Sequence, residues 1–234
     1  TTMNIDSDIN KADTTSTSND YIFTRRLLLQ NSKINVNSGK TVTANLGSTD
    51  LTSMDLTVPV GLAVAASSKS TDNNSTAITN DGTVTVNRTD SGNGGVGLYV
   101  NYGHINNNGS GVVDVETTGN NPNAVGIYGT NSTPIVNDGT VTVGGDKSFG
   151  ILGLSYRLDK TGAMVDPSTE AYYNTTTSSH FEYGKVDITN NGTITMNKDS
   201  ALGIYAHNNS LAAKNTTDRR TSNTDVKATN TGTI

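Results

Sequence analysis

The side chains best suited to chemistry in this chain are seven residues of one stretch: Tyr156, Arg157, Tyr172, Tyr173, His180, Phe181 and Tyr183. They hold four of the chain's 9 Tyr and one of its 3 Phe, set among Thr, Ser and Asn. Aromatic rings on a polar loop can stack on sugar faces or anchor a protein partner. Their other use is plainer: Phe181 and a tyrosine or two would pin the loop back onto the body of the protein.

Groups that could do bond-making chemistry are few. Asp81 and Asp138 sit in equivalent turns, the kind of carboxylate pair that hydrolases and lyases use. Asn108 occupies the intervening equivalent position, so on a stacked coil the acids would lie two layers apart, about 10 Å. An Asp beside a turn Gly also satisfies backbone geometry by itself, and we expect no catalysis from the pair. Gly39-Lys40-Thr41 lacks the upstream Gly of a phosphate loop, because position 34 is Ile. Gly144-Gly-Asp146 occurs once, and one copy cannot build a stacked calcium site. His104, His180 and His207 have no ligand spacing; only His180 and His207 would meet, and only if their loops touch. The sequons at Asn87, Asn131 and Asn174 are what chance supplies in a chain so rich in Asn and Thr. No cofactor, no metal and no enzymatic activity are expected.

Composition narrows the partners. Net charge is −5, and the adjacent arginine pairs Arg25–Arg26 and Arg219–Arg220 lie in no basic run. Nucleic acid and anionic membrane surfaces, which call for clustered Lys and Arg, are therefore not expected partners. There is no Cys, hence no disulfide and no thiolate site. Hydrophobic residues make up 32% and charged residues 16% of the 234. Asn, Thr and Gly fill the remainder, and they disfavour helix and favour extended backbone with tight turns.

The elements that must position any site come from a repeat. Ile78-Thr-Asn-Asp-Gly-Thr-Val-Thr-Val86 returns as Ile135-Val-Asn-Asp-Gly-Thr-Val-Thr-Val143 and as Ile188-Thr-Asn-Asn-Gly-Thr-Ile-Thr-Met196. A looser copy runs from Ile105 to Val115, and a partial one from Ala228 to Ile234. A second block follows each full copy: Val96-Gly-Leu-Tyr-Val100, Val125-Gly-Ile-Tyr-Gly129, Phe149-Gly-Ile-Leu-Gly153 and Leu202-Gly-Ile-Tyr-Ala206, with Val60-Gly-Leu-Ala-Val64 before them. From Gly126 to Gly150 the unit repeats after 24 residues.

Period-two alternation makes Val-Thr-Val a strand with Val inward and Thr outward. The same reading puts Val96, Leu98 and Val100 inward, with Gly97 and Tyr99 outward. Ile-Thr-Asn supplies a third short strand, and Asn-Asx-Gly supplies the turn. A meander could use the same strands, but only a coil stacked on itself gives identical residues a reason to return at a fixed offset. The expected fold is an all-β, right-handed parallel β-helix (solenoid) of about 24 residues per rung, with loop insertions. Asn80, Asn107, Asn137, Asn190 and Asn230 should form a ladder, and Tyr99, Tyr128 and Tyr205 one outer column interrupted by Leu152.

The expected organisation is a tail and cap over residues 1–30, degenerate rungs over 31–66, and regular rungs over 67–234 with insertions at 154–186 and 207–227. Both insertions leave the same corner in consecutive rungs, so they should emerge side by side. The C-terminus stops within a rung, which reads as a fragment of something longer.

The Asn-Asp/Asn-Gly-Thr-Val/Ile-Thr-Val block followed by Gly-Ile-Tyr resembles the passenger domains of large type V autotransporter adhesins, most of all the fusobacterial ones, over residues 51–234 and more weakly 31–50. The resemblance implies an extracellular segment at the bacterial surface, attached in the native protein to the outer membrane by a C-terminal β-barrel that this chain does not contain. It also implies attachment to a host-cell or bacterial surface glycan or protein receptor. The loops on the stalk are the expected contact; a purely structural stalk or spacer, or a polysaccharide-cleaving β-helix enzyme, are the alternatives. It carries over no site residue.

Overall fold

The computed structural model describes residues 2–11, 33–46, 60–65, 76–88, 94–101, 103–117, 122–131, 134–155, 157–158, 182–183, 186–208 and 226–234. The chain winds in flat turns. The first turn holds β1 (Thr2–Ile5) and β2 (Ile9–Lys11), and the second β3 (Lys33–Val36), β4 (Thr41–Leu46) and β5 (Val60–Ala65). The third holds β6 (Thr76–Asn80), β7 (Thr83–Arg88) and β8 (Val96–Asn101), and the fourth β9 (His104–Asn107), β10 (Val112–Thr117) and β11 (Val125–Thr130). The fifth holds β12 (Ile135–Asn137), β13 (Thr140–Val143) and β14 (Phe149–Ser155). Two short strands, β15 (Arg157–Leu158) and β16 (Glu182–Tyr183), separate it from β17 (Val186–Asn190), β18 (Thr193–Met196) and β19 (Leu202–Asn208), and β20 (Val226–Asn230) opens the last turn.

Like strands stack on like. The first sheet runs β1-β3-β6-β9-β12-β17-β20, the second β2-β4-β7-β10-β13-β18 and the third β5-β8-β11-β14-β19, and their neighbouring strands pair in parallel. Among the described residues only β15 and β16 pair antiparallel, outside the three walls. This is the expected parallel β-helix. Its pitch in sequence is less uniform than a fixed repeat of 24: consecutive ladder asparagines are separated by 27, 30, 53 and 40 residues, because extra chain is inserted at corners.

Register follows the repeat residue for residue. Val84, Val113, Val141 and Ile194 lie over one another in the second sheet, as do Ile78, Ile105, Ile135 and Ile188 in the first. All eight are buried and belong to one apolar core that runs along the coil axis. Burying an Ile or Val side chain is worth about 1.5–3 kcal/mol, and each turn adds such residues to the same column. That is why a chain with 32% hydrophobic residues can still build a continuous core.

Two expectations need correction. Residues 2–11 are not a tail: β1 pairs with β3 and β2 with β4, so Met3 lies over Ile34 and Ile9 over Val42. The alternation of Met3 and Ile5 is a strand signal, weak because it spans one short strand. The cap expected in the later part of residues 1–30 falls on 12–30, outside the described residues. The insertions are also shorter than expected. Leu154, Ser155, His207 and Asn208 pair between β14 and β19, while Val186 and Asp187 pair with Val226 and Lys227 between β17 and β20.

Candidate functional site

The corner between the first and second sheets shows how a polar side chain survives inside the coil. Asn80, Asn107, Asn137 and Asn190 are fully buried. Each Nδ2 donates to the Oδ1 of the next rung: Asn80 to Asn107 at 2.8 Å, then Asn107 to Asn137, Asn137 to Asn190 and Asn190 to Asn230 at 2.7 Å. The second amide hydrogen reaches a turn carbonyl, as from Asn137 to Gly139 at 3.3 Å. The first member, Asn80, uses its Oδ1 to accept the Gly82 amide at 3.2 Å. Every donor is satisfied, which is the condition for burying amides. In the earlier turns the same column is filled by Val36 and Ile5.

The next residue of each turn points out and forms a second ladder of alternating acid and amide: Asp6, Asn37, Asp81, Asn108, Asp138, Asn191, then Thr231. Asn37 donates to Asp6, Asn108 to Asp81 at 2.8 Å and Asn191 to Asp138 at 2.8 Å. Stacked carboxylates would repel at rung spacing; an amide between each pair separates them and neutralises their lone pairs. Asp81 and Asp138, the acids considered for catalysis, are thus held by ladder amides two rungs apart. On the second sheet Asp114 and Glu116 share the outer face, and Glu116 is pushed above its ordinary range first by burial and then by a hydrogen bond to, and the charge of, Asp114.

The outer face of the third sheet is the strongest candidate for binding. Here strict alternation fails. Gly97 points inward, towards Val113 and Val115, and Leu98 also faces the core. With Gly97 and Leu98 both turned to the core, Val96 and Tyr99 pack together in a separate cluster on the other face, against the expected inward Val96 and outward Gly97. The glycines are needed because the second sheet leaves no space: a Cβ on Gly61 would lie 2.6 Å from Val84 Cγ1, and on Gly150 2.5 Å from Ile194 Cγ2.

Two outer apolar columns result. One is Val60, Val96, Val125, Phe149 and Leu202; the other is Ala63, Tyr99, Tyr128, Leu152 and Tyr205, the expected tyrosine column with its leucine interruption. Their early members are buried, whereas Leu202 is 47% and Tyr205 37% exposed because β19 is the end strand of its sheet and pairs on one side only among the described residues. Rings touch along the columns. Tyr99 and Tyr128 lie 5.2 Å apart, Phe149 and Tyr205 5.6 Å apart, and Tyr205 stacks on His207 at 5.8 Å with the planes within 18°. Leu202, Tyr205 and His207, with the half-buried Phe149 behind them, therefore make an apolar and aromatic patch with a polar, hydrogen-bonding edge. Sequence reasoning missed Phe149 and Leu202. Their signal is that a large apolar residue precedes the glycine in every copy.

Of the residues expected to touch a partner, Tyr156, Tyr172, Tyr173, His180 and Phe181 lie outside the described residues. Arg157 and Tyr183 are Cα partners in the antiparallel β15–β16 pair, so the two ends of that insertion are held together. Ser155 and Asn208, after which the two insertions leave the coil, are also Cα partners, so both loops start from one corner in adjacent rungs, beside His207. Among the described residues no group of three or more His, Asp or Glu is placed to hold a metal ion. Comparison with family models, with curated proteins and with solved structures finds no match to this chain.

Proposed function

We propose that this chain is a segment of a bacterial cell-surface adhesin, a rigid β-helical stalk that meets its partner on the outer face of the third sheet and on the loops beside it. The partner is a glycan or protein receptor on a host or bacterial cell. The native protein is held to the outer membrane elsewhere, and the segment does no bond chemistry of its own. The observation that carries the reading is the shared corner: Ser155 and Asn208, after which both insertions leave the coil, are Cα partners in the adjacent strands β14 and β19, beside the stacked Tyr205 and His207 rings. Flat aromatic surface with a polar edge suits sugar rings and protein side chains alike. The sequence resemblance to autotransporter passengers points the same way.

A spacer without a partner is the second reading, favoured by the closed ladders, whose turn carboxylates are already taken by neighbouring amides. One experiment separates the two. The wild-type chain, a variant with residues 159–181 replaced by a short Gly/Ser bridge, and the double variant Leu202→Ser/Tyr205→Ala are compared on a glycan array and on whole cells. Binding by wild type that falls in either variant, with circular dichroism unchanged, supports the adhesin. Wild type that binds nothing, or variants that bind equally, overturn the proposed site.

A further inference from the structure

The outer amide ladder contains two Asn-Gly pairs in the same column, Asn108–Gly109 and Asn191–Gly192, and the coil treats them differently. Both asparagines donate Nδ2 to the acid of the preceding rung at 2.8 Å. In the tight turn, the Gly192 amide donates to the Asn137 carbonyl at 3.0 Å. Asn191 is held again from the far side, its Oδ1 accepting the Thr231 hydroxyl at 2.6 Å. The turn at Asn108 is longer. Gly111 takes the tight-turn glycine's place, packing against the Asn80 carbonyl while Val112 donates to the Gly82 carbonyl at 2.8 Å. Gly109 and Ser110 loop outward, both exposed, and the Gly109 amide has no acceptor among the described residues. A Cβ at Gly109 would meet nothing within 4 Å.

From this contrast we infer that Asn108 is a built-in deamidation site and Asn191 a protected one. The Gly109 nitrogen loses its proton and attacks Asn108 Cγ; the N–Cγ bond forms, the Cγ–Nδ2 bond breaks, and Nδ2 leaves as ammonia with the proton the amide gave up. Water then opens the succinimide to aspartate or isoaspartate at position 108. At Gly192 the same nitrogen must first give up its hydrogen bond to Asn137. The product matters to the fold because it places a third carboxylate between Asp81 and Asp138, where the native amide separates them. The site would be a slow, irreversible change of charge at one corner of the coil.

The test is peptide mapping by mass spectrometry after incubation of the intact chain in mildly alkaline buffer, with a parallel incubation in urea. Dividing each native rate by its urea rate removes the effect of flanking sequence. The expected result is that Asn108 converts about tenfold faster than Asn191 on this scale, the rate equivalent of the roughly 1.4 kcal/mol that one net hydrogen bond is worth. Deleting Gly109 and Ser110, which turns the loop into a tight turn like that at Gly192, is expected to slow Asn108 to the rate of Asn191. Equal native rates, a faster Asn191, or a folded deletion variant that converts as fast as wild type would each overturn the inference. If the deletion variant does not fold, the wild-type ratio decides alone.

Discussion

The asparagine corner and the outer third-sheet face are built from the same repeat, yet one hardly varies and the other drifts. At the corner each Asn has its own copy above and below as its hydrogen-bond partner, so a change at one rung leaves two neighbours unsatisfied. On the outer face the residue before the glycine passes from Val to Phe to Leu, and the tyrosine column from Ala to Tyr to Leu and back to Tyr. An outward apolar side chain needs only contact, which many residues supply. The corner fixes the coil, and the outer face is free to vary.

The largest expected effect lies at the corner. Asn137→Ala removes the acceptor of Asn107 and the donor to Asn190 inside a dry column, and should cost about 3 kcal/mol by chemical denaturation. The same change at the exposed end of the ladder, Asn230→Ala, should cost about 1 kcal/mol or less. Equal losses at the two positions would break the distinction.

Next is the inward glycine. A Cβ at Gly126 would lie 2.6 Å from the Gly150 carbonyl oxygen, backbone against backbone. Gly126→Ala should therefore cost about 2 kcal/mol, whereas Gly109→Ala, in open space, should stay within about 0.5 kcal/mol. The acid–amide ladder comes third. Asn108→Asp replaces a donor by a charge between Asp81 and Asp138 and should cost about 1 kcal/mol near neutral pH, less in high salt and less again in acid.

Glu116 gives a smaller, pH-signed effect. Its folded-state value is raised above 4.5, so the protonated form is favoured by folding, and stability contributed there is present below 4.5 and lost as pH rises through the raised value. Glu116→Gln should raise the thermal midpoint slightly at neutral pH and leave it unchanged in acid. At the face, Leu202→Ser/Tyr205→Ala should move stability least, within about 0.5 kcal/mol per site, while changing recognition most.

What could be read from sequence was whatever has a copy. Asn-Asx-Gly and the flanking Ile and Val recur at a fixed place in each turn, so the corner, the core columns and the order of sheets were legible, including the ladder from Asn80 to Asn230. The inward facing of Gly97 was not, because a period-two count assumes unbroken alternation and Gly carries no side chain to say which way it faces. The rung at Thr2–Ile5 was hidden by its brevity and by Ile5 standing where later turns carry Asn. Residues such as Tyr172 and Phe181 have no copy in a neighbouring turn, so pattern reasoning could name them as chemically capable but could not place them. The aromatic patch combines both cases: Tyr205 is legible through its column, Leu202 only through the structure.

The stacking itself can be tested most directly by cross-linking, since the chain has no Cys to interfere. Thr142 and Thr195 are Cα partners on the outer side of adjacent second-sheet strands. Parallel neighbours stand about 4.8 Å apart, within disulfide reach, and an offset of two residues along the strand takes the Cα separation to about 8 Å, beyond it. Under mild oxidation the Thr142→Cys/Thr195→Cys variant should close a disulfide in the folded monomer, and Thr140→Cys/Thr195→Cys should not. A cross-link in the second pair and none in the first would contradict the register on which the coil, its ladders and its outer face all depend.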